Sequence, residues 1–290
     1  VSGQTFFSSL LMTTESAGFA YEPGTRVTIG KFYGRDLENR DRQLEVSYFG
    51  AFDWSSAYTV TASPNQFLET TLANNAPGFQ GASAHTYLYE SDLNSVEINA
   101  KLSSRLPRDR MVLQPDGHWY RECTPSWLPT YLAGIRWINA EEQFAFGAIG
   151  PQQFALYDIT THNDLLGVQL GFEMFEQHCR WNWGGTVKVG GYVNFADQHT
   201  VYDANVGGFA FNRDEMKSGE QLSLAIELNL RASYQLRPNL AIRIGYDFMF
   251  LQGLALGPQQ LEFNTATAPV LRTGNHYFLD GGMLGLEWVW

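Results

Sequence analysis

Between Gln221 and Tyr234 every second residue is apolar: Leu222, Leu224, Ile226, Leu228, Leu230, Ala232 and Tyr234 alternate with Gln221, Ser223, Ala225, Glu227, Asn229, Arg231 and Ser233. A helix is the first rival, since Leu, Ala, Glu and Arg are good helix formers and Glu227 and Arg231 have the i,i+4 spacing of a helical ion pair. Steps of two residues advance about 200° around a helix, which would spread the apolar side chains around the whole cylinder. In a strand all seven fall on one face. Past the turn tripeptide Arg237-Pro238-Asn239, Leu240, Ile242, Ile244, Tyr246, Phe248 and Phe250 alternate again with Ala241, Arg243, Gly245, Asp247 and Met249. The pattern predicts a long hairpin.

The same rhythm predicts strands at roughly 25–33, 43–54, 93–103, 130–148, 165–177, 181–195, 220–234, 240–252 and 276–290, with a weaker tenth in TFFSSLLMTT near residues 5–13. Connections at 178–180 and 235–239 read as tight turns, whereas 55–92, 150–164, 196–219 and 253–275 read as longer loops; 104–129 is long where a short turn is expected. Short turns at one end and long loops at the other are the pattern of an outer-membrane barrel. A soluble sandwich or a lipocalin-like barrel also alternates, with its apolar face inward. Nine or ten strands, each with about five to seven large apolar residues on one face, would overfill the inside of such a barrel but fit easily against lipid.

Composition agrees. Of 290 residues only 17% are charged, against about 25% in ordinary soluble domains, and 28 are glycine, often paired in strands as curved sheets require. The longest run built only of apolar residues and glycine is Phe144 to Gly150, far below the roughly 18 a membrane helix needs. A net charge of -11 argues against nucleic acid, whose phosphates demand basic patches. The sequence opens at Val1 with no Met, basic n-region or cleavage site, as expected of a mature or trimmed chain.

Aromatic residues gather near strand ends, as membrane-interface belts do. Tyr131, Trp181, Trp183, Tyr234, Trp288 and Trp290 mark the short-turn end; Phe52, Trp54, Phe195, Phe248 and Phe250 mark the loop end. Ordinary core aromatics would be scattered along the strands instead.

The closing strand, NHYFLDGGMLGLEWVW, puts Leu284, Leu286, Trp288 and Trp290 on one face, and this resembles the C-terminal signal that the barrel-assembly machinery reads in bacterial outer-membrane barrels. TRVTIGKFYG with QLEVSYFG, LNSVEINAKL followed by LAGIRWINAEEQF, THNDLLGVQLGFE and LGLEWVW together resemble the outer-membrane β-barrel porin family numbered seven, from about Thr25 onward. The resemblance implies an outer-membrane barrel with outer-membrane lipids and the assembly machinery as partners. It brings no catalytic residues.

The opposite parity collects Glu45, Glu97, Lys101, Arg136, Glu173, Lys188, Glu227, Arg231, Arg243 and Asp247 along the strand middles, with Gln169 beside them and Glu287 near the periplasmic rim. Five are acidic and five basic before the rim residue is counted. With the turn centred near Arg237, Arg231 and Arg243 form one layer and Glu227 and Asp247 the next; Glu173 and Lys188 come out near-diagonal across 178–180. Such a ladder reads as a salt-bridged plug filling a narrow lumen or as a charge-lined eyelet. Ten to twelve strands lie between filled barrels of about eight and open ones of 16 to 18. In THNDLLGVQLG, Asn163, Gln169 and Glu173 share the lumen parity, and Gly167 and Gly171 make room for bulky inward neighbours such as Arg136 or Tyr192.

His85, His162, His199 and His276 fall in or beside the expected outer loops, near Asp92, Asp164, Asp197, Asp203 and Asp280. A hydrolase at the barrel mouth could use such groups, but no GxSxG or HExxH motif ties them. Cys123 and Cys179, the only cysteines, lack metal-ligand spacing; the strand count places both at the periplasmic, oxidising end, which predicts a disulfide. The expectation is one domain, residues 1–290: an all-β, transmembrane, antiparallel up-and-down barrel of ten to twelve strands in the bacterial outer membrane. Its expected role is a narrow porin-like channel for small solutes, not an enzyme, without metal or cofactor. A non-conducting structural or adhesion barrel displaying acidic loops is the other reading.

Overall fold

The computed structural model describes residues 11–12, 19–70, 77–105, 110–122, 125–262 and 270–290. The described residues form twelve strands: β1 (Thr25–Arg35), β2 (Asp41–Gly50), β3 (Trp54–Thr61), β4 (Ala84–Ser103), β5 (Arg110–Leu113), β6 (Trp119–Glu122), β7 (Ser126–Gly150), β8 (Gln153–Gln177), β9 (Trp181–Val206), β10 (Phe209–Arg237), β11 (Leu240–Leu254) and β12 (Asn275–Trp288). Ten belong to one antiparallel sheet in the order β1-β2-β4-β7-β8-β9-β10-β11-β12, with β3 pairing β4 off this path. β5 and β6 make a separate two-stranded ribbon inside the segment expected to be a long connection. The weak strand expected near residues 5–13 lies almost wholly outside the described residues.

The turns at 36–40, 178–180 and 238–239 share one end, here the base; Pro151-Gln152 and Gly207-Gly208 close hairpins at the other, the crown. Gly207 and Gly208 have φ of 59° and 89°, the left-handed pair that a two-residue hairpin loop needs. The segments expected as outer loops at 150–164 and 196–219 are instead mostly strand. β7 to β10 run 25 to 29 residues each; β4 keeps pace with β7 up to Ala84 opposite Ile149, whereas β10 rises well past the end of β11, which pairs no higher than Leu224.

The reason these extensions read as loops is a reversal of polarity within single strands. On β8, outward Leu166, Val168 and Leu170 are 56%, 66% and 69% exposed near the base, while inward Gln169 is buried. Higher on the same strand the outward positions are Thr160, His162 and Asp164, and inward Tyr157 and Ile159 are buried. β9 reverses between Phe195 and Ala196, and β4 between Val96 and Asn94. The crown therefore has an ordinary interior, in which Phe79, Tyr87, Phe144, Phe146, Tyr157 and Tyr202 pack together. Below it the sheet is inside out.

Closure of this sheet into a barrel is not found. Among the described residues no pairing joins β1 to β12. Along the nine strands of the path, each antiparallel to the next, β1 and β12 both descend from crown side to base, so an antiparallel pair between these two edges is not available. The inner face is nevertheless strongly curved, since Arg26 on β1 reaches Glu227 on β10 and Asp247 on β11, both at 3.2 Å.

Candidate functional site: the charged interior and its cap

Every residue expected to line the interior lies on the inward parity of its strand, and two ionic layers organise them. In the upper layer Arg136 donates to Glu227 Oε2 at 2.5 Å and to Ser95 Oγ at 2.7 Å. Lys188 donates to Glu97 Oε1 at 2.6 Å and lies 3.6 Å from Glu227 Oε1. Gln169 donates to Glu97 Oε2 at 2.8 Å and Asn99 Oδ1 at 2.7 Å. In the lower layer Lys101 donates to Glu45 at 2.8 Å and Glu173 at 2.9 Å. Arg231 stacks over the Phe175 ring at 4.8 Å, and Arg243 pairs with Glu287 at 2.6 Å. Partners come from strands one, two or more places away in the sheet, which only a tightly curved inner face permits.

The details differ from a ladder of neighbours. Arg231 sits opposite Gly245 and Arg243 opposite Ser233, two residues out of the expected layer; Asp247 faces Asn229, which donates to it at 2.7 Å. The bulge between Gln235 and Arg237 moves the pairing by one residue, and the pairing above it lies two residues from the expected layer, which leaves both charged sets on the same face. Glu173 and Lys188 are diagonal neighbours as expected, but each bonds a residue of β4 instead. Arg26, to which sequence reasoning gave no role, joins the upper layer; its alternation with Thr28 and Gly30 on β1 was the available signal.

Gly167 answers its expected purpose. A Cβ there would come within 2.1 Å of Gly191 O and 2.7 Å of Tyr192 Cδ1, so the inward Tyr192 ring occupies the space. The opposite holds on β12, where a Cβ at inward Gly281 or Gly285 meets nothing within 4 Å. The wall from β4 to β9 is packed with buried side chains, and Met249 and Leu251 of β11 are buried with Tyr277 and Leu279 of β12 packed against them; below these, the inward positions of β1, β11 and β12 form a mixed lane of Arg26, Thr28, Arg243, Asp247 and Glu287 among Gly30, Gly245, Gly281, Met283 and Gly285 that is half-buried or exposed.

Above the lane, the chain leaving β11 folds inward as a cap. Gly253 (φ 87°) turns it, and Leu254 and Ala255 are wholly buried. Asn163 grips the Ala255 backbone twice, donating to its oxygen at 2.8 Å and accepting its N–H at 2.7 Å. Asn194 and Ser223 each donate to Gly253 O at 2.9 Å. The Gly257 N–H donates to Glu142 Oε2 at 2.8 Å, and Tyr89 OH donates to Glu142 Oε1 at 2.8 Å. Burial pushes the Glu142 carboxyl up to about 7, against the opposing pull of those two donors. The expected loop at 253–275 thus begins by turning inward, because unpaired backbone in a buried place needs such partners.

Of the expected aromatic belt, Trp181, Trp183, Trp288 and Trp290 are outward and 49% to 90% exposed. Tyr234 packs beside Trp181 at 4.7 Å, and Phe248 and Phe250 share the outward face of β11. Trp54 does not belong to it. Ala51 takes φ 59° after β2, β3 continues upward along β4 with its register shifted by one residue, and Trp54 is buried in the interior stacked on Phe52 at 4.5 Å. The histidines do not converge: His85 is buried against Phe79 O, His162 and His199 face outward beside Glu141 and Asp214, and His276 lies by the Phe250 ring. Among the described residues no group of three His, Cys, Asp or Glu side chains can hold a metal ion. Cys179 is disulfide-bonded; Cys123, the only other cysteine, lies outside the described residues.

No protein-family model, curated protein or solved structure matches this chain.

Proposed function

We propose that the chain is a bacterial outer-membrane β-barrel, in line with the resemblance of its short strand motifs to an outer-membrane porin family, and that it forms a narrow channel for small solutes which is shut when its cap is seated. The observation that carries the membrane reading is the reversal of polarity along β4, β7, β8 and β9. One level of the outer surface is apolar and the next is polar, on the same strands. Each large apolar side chain on the lower band gains roughly 1.5–3 kcal/mol on leaving water, and lipid is the medium that accepts such a band with a polar interior behind it. A lipid-facing sheet cannot leave edges unpaired. Since β1 and β12 descend together, closure takes an ascending strand between them, giving ten in the band and an even count.

The half-buried lane along β11, β12 and β1 supports a channel, and the 253–257 cap above it supports a shut one. The ionic layers favour the second reading, a non-conducting scaffold that anchors the tall crown, if the lane stays blocked when the cap moves.

Spin labels at outward Val168 and Thr160 on β8 test the membrane reading. In lipid vesicles Val168 should be relaxed by oxygen and Thr160 by a water-soluble nickel chelate; equal water access at both sites rejects it. Planar-bilayer recordings test the channel. Asn163→Ala, which frees the cap, should raise conductance above that of the parent, and silence of both leaves the scaffold.

A further inference from the structure

Resting on the reading of residues 253–257 as a cap over the interior lane, we propose that Glu142 is its latch, holding the cap seated while neutral and releasing it on ionisation. Glu142 is 2% exposed and stands on β7 in the crown, above the apolar band. The groups facing it are Tyr89 on β4, Tyr277 on β12, Ser91 and Thr161 opposite on β4 and β8, and the Gly257 amide of the cap. None of these carries a positive charge. That sets Glu142 apart from Glu97, Glu173 and Glu227, each of which is held by a lysine or arginine.

A neutral carboxyl satisfies this site fully. Its carbonyl oxygen accepts the Gly257 N–H, and its hydroxyl exchanges donor and acceptor roles with Tyr89 OH. An ionised carboxylate keeps two donors but has no countercharge in a dry site, and water reaches it only if the cap lifts. Because burial raises the carboxyl to about 7 while the cap is seated, the seated state is most stable below the ordinary carboxylate range and weakens as pH rises through about 7. One proton is released per opening between the ordinary carboxylate range and about 7, so across that window the open-to-seated ratio grows by up to about tenfold per pH unit, and it levels off above it.

Hydrogen exchange at the Ala255 and Gly257 amides of the full chain in detergent micelles, corrected for the intrinsic base-catalysed rate, reads the cap without relying on conduction. In the parent, protection should fall as pH rises from about 5 to about 7 and level off above that, and in Glu142→Gln, which cannot ionise, it should stay level. Parallel pH dependence in both, or protection that rises with pH in the parent, overturns the latch. Tyr89→Phe removes one donor to the carboxylate and should move the transition to higher pH; an unmoved transition counts against the proposal even if Glu142→Gln does not fold. Bilayer conductance that follows the same pH transition joins latch to channel. An exchange transition without conductance keeps the latch and rejects the channel.

Discussion

Arg136 on β7 and Glu227 on β10 meet at 2.5 Å across the curved inner face, each only 2% or 3% exposed at its side chain. Two strands separate them in the sheet, so this bond records how tightly the sheet curls. Removing one member leaves a buried charge short of its partner. Arg136→Met should therefore destabilise the folded protein by about 3–5 kcal/mol, and Arg136→Met with Glu227→Leu should recover most of the loss. Denaturant unfolding in micelles measures both, and equal losses in the single and double variants would contradict the pairing.

Two tryptophans of similar sequence context have opposite surroundings. Trp54 is stacked on Phe52 inside, while Trp181 is 56% exposed on the outer face. Trp54→Ala should cost about 3–5 kcal/mol in micelles. Trp181→Ala should cost less there and chiefly alter tryptophan quenching by brominated lipid, which Trp54 should escape.

Glycines at two inward positions should respond differently to one added methyl. Gly167→Ala drives a Cβ against backbone and the Tyr192 ring, and is expected to cost at least about 1–3 kcal/mol or to block folding. Gly281→Ala enters open space and should leave unfolding unchanged. The comparison needs only heat-modifiability on gels and a melting curve. A benign Gly167→Ala would show that the close approach of β8 and β9 is wrong.

At the base, the turn between β1 and β2 is organised by Asp36. The Arg40 N–H donates to its Oδ1 at 2.8 Å, the strongest of the influences that hold this carboxyl below its ordinary range; Arg40 Nε and the Glu38 N–H add to it. A lowered carboxyl contributes stability above its ordinary range and loses it as pH falls through its folded value. Amide exchange at Glu38 and Arg40 should therefore rise only in acid below the usual aspartate titration, and Asp36→Asn should lose that dependence. A midpoint at or above the usual value would contradict the geometry.

Strand identity in the lower band, the shared face of the charged residues and the tight turn at 178–180 followed from the sequence alone, whereas the turn expected over 235–239 is only 238–239 because β10 runs on to Arg237. A period of two fixes which residues share a face, and that is a local property of the extended chain. Four features did not follow. Strand length in the crown was hidden because the apolar residues change parity near Asn94, Asn139, Asp164 and Ala196, so the end of the greasy face reads as the end of the strand. Trp54 was misplaced because one residue with positive φ, Ala51, resets the parity that alternation relies on. Ion-pair partners were decided by curvature, since Arg136 with Glu227 and Arg26 with Asp247 join strands far apart in sequence. The cap was decided by burial: Gly253 to Gly257 carry no pattern of their own, and only the side chains of Asn163, Asn194, Ser223 and Glu142, brought together from four strands, give that backbone its hydrogen bonds.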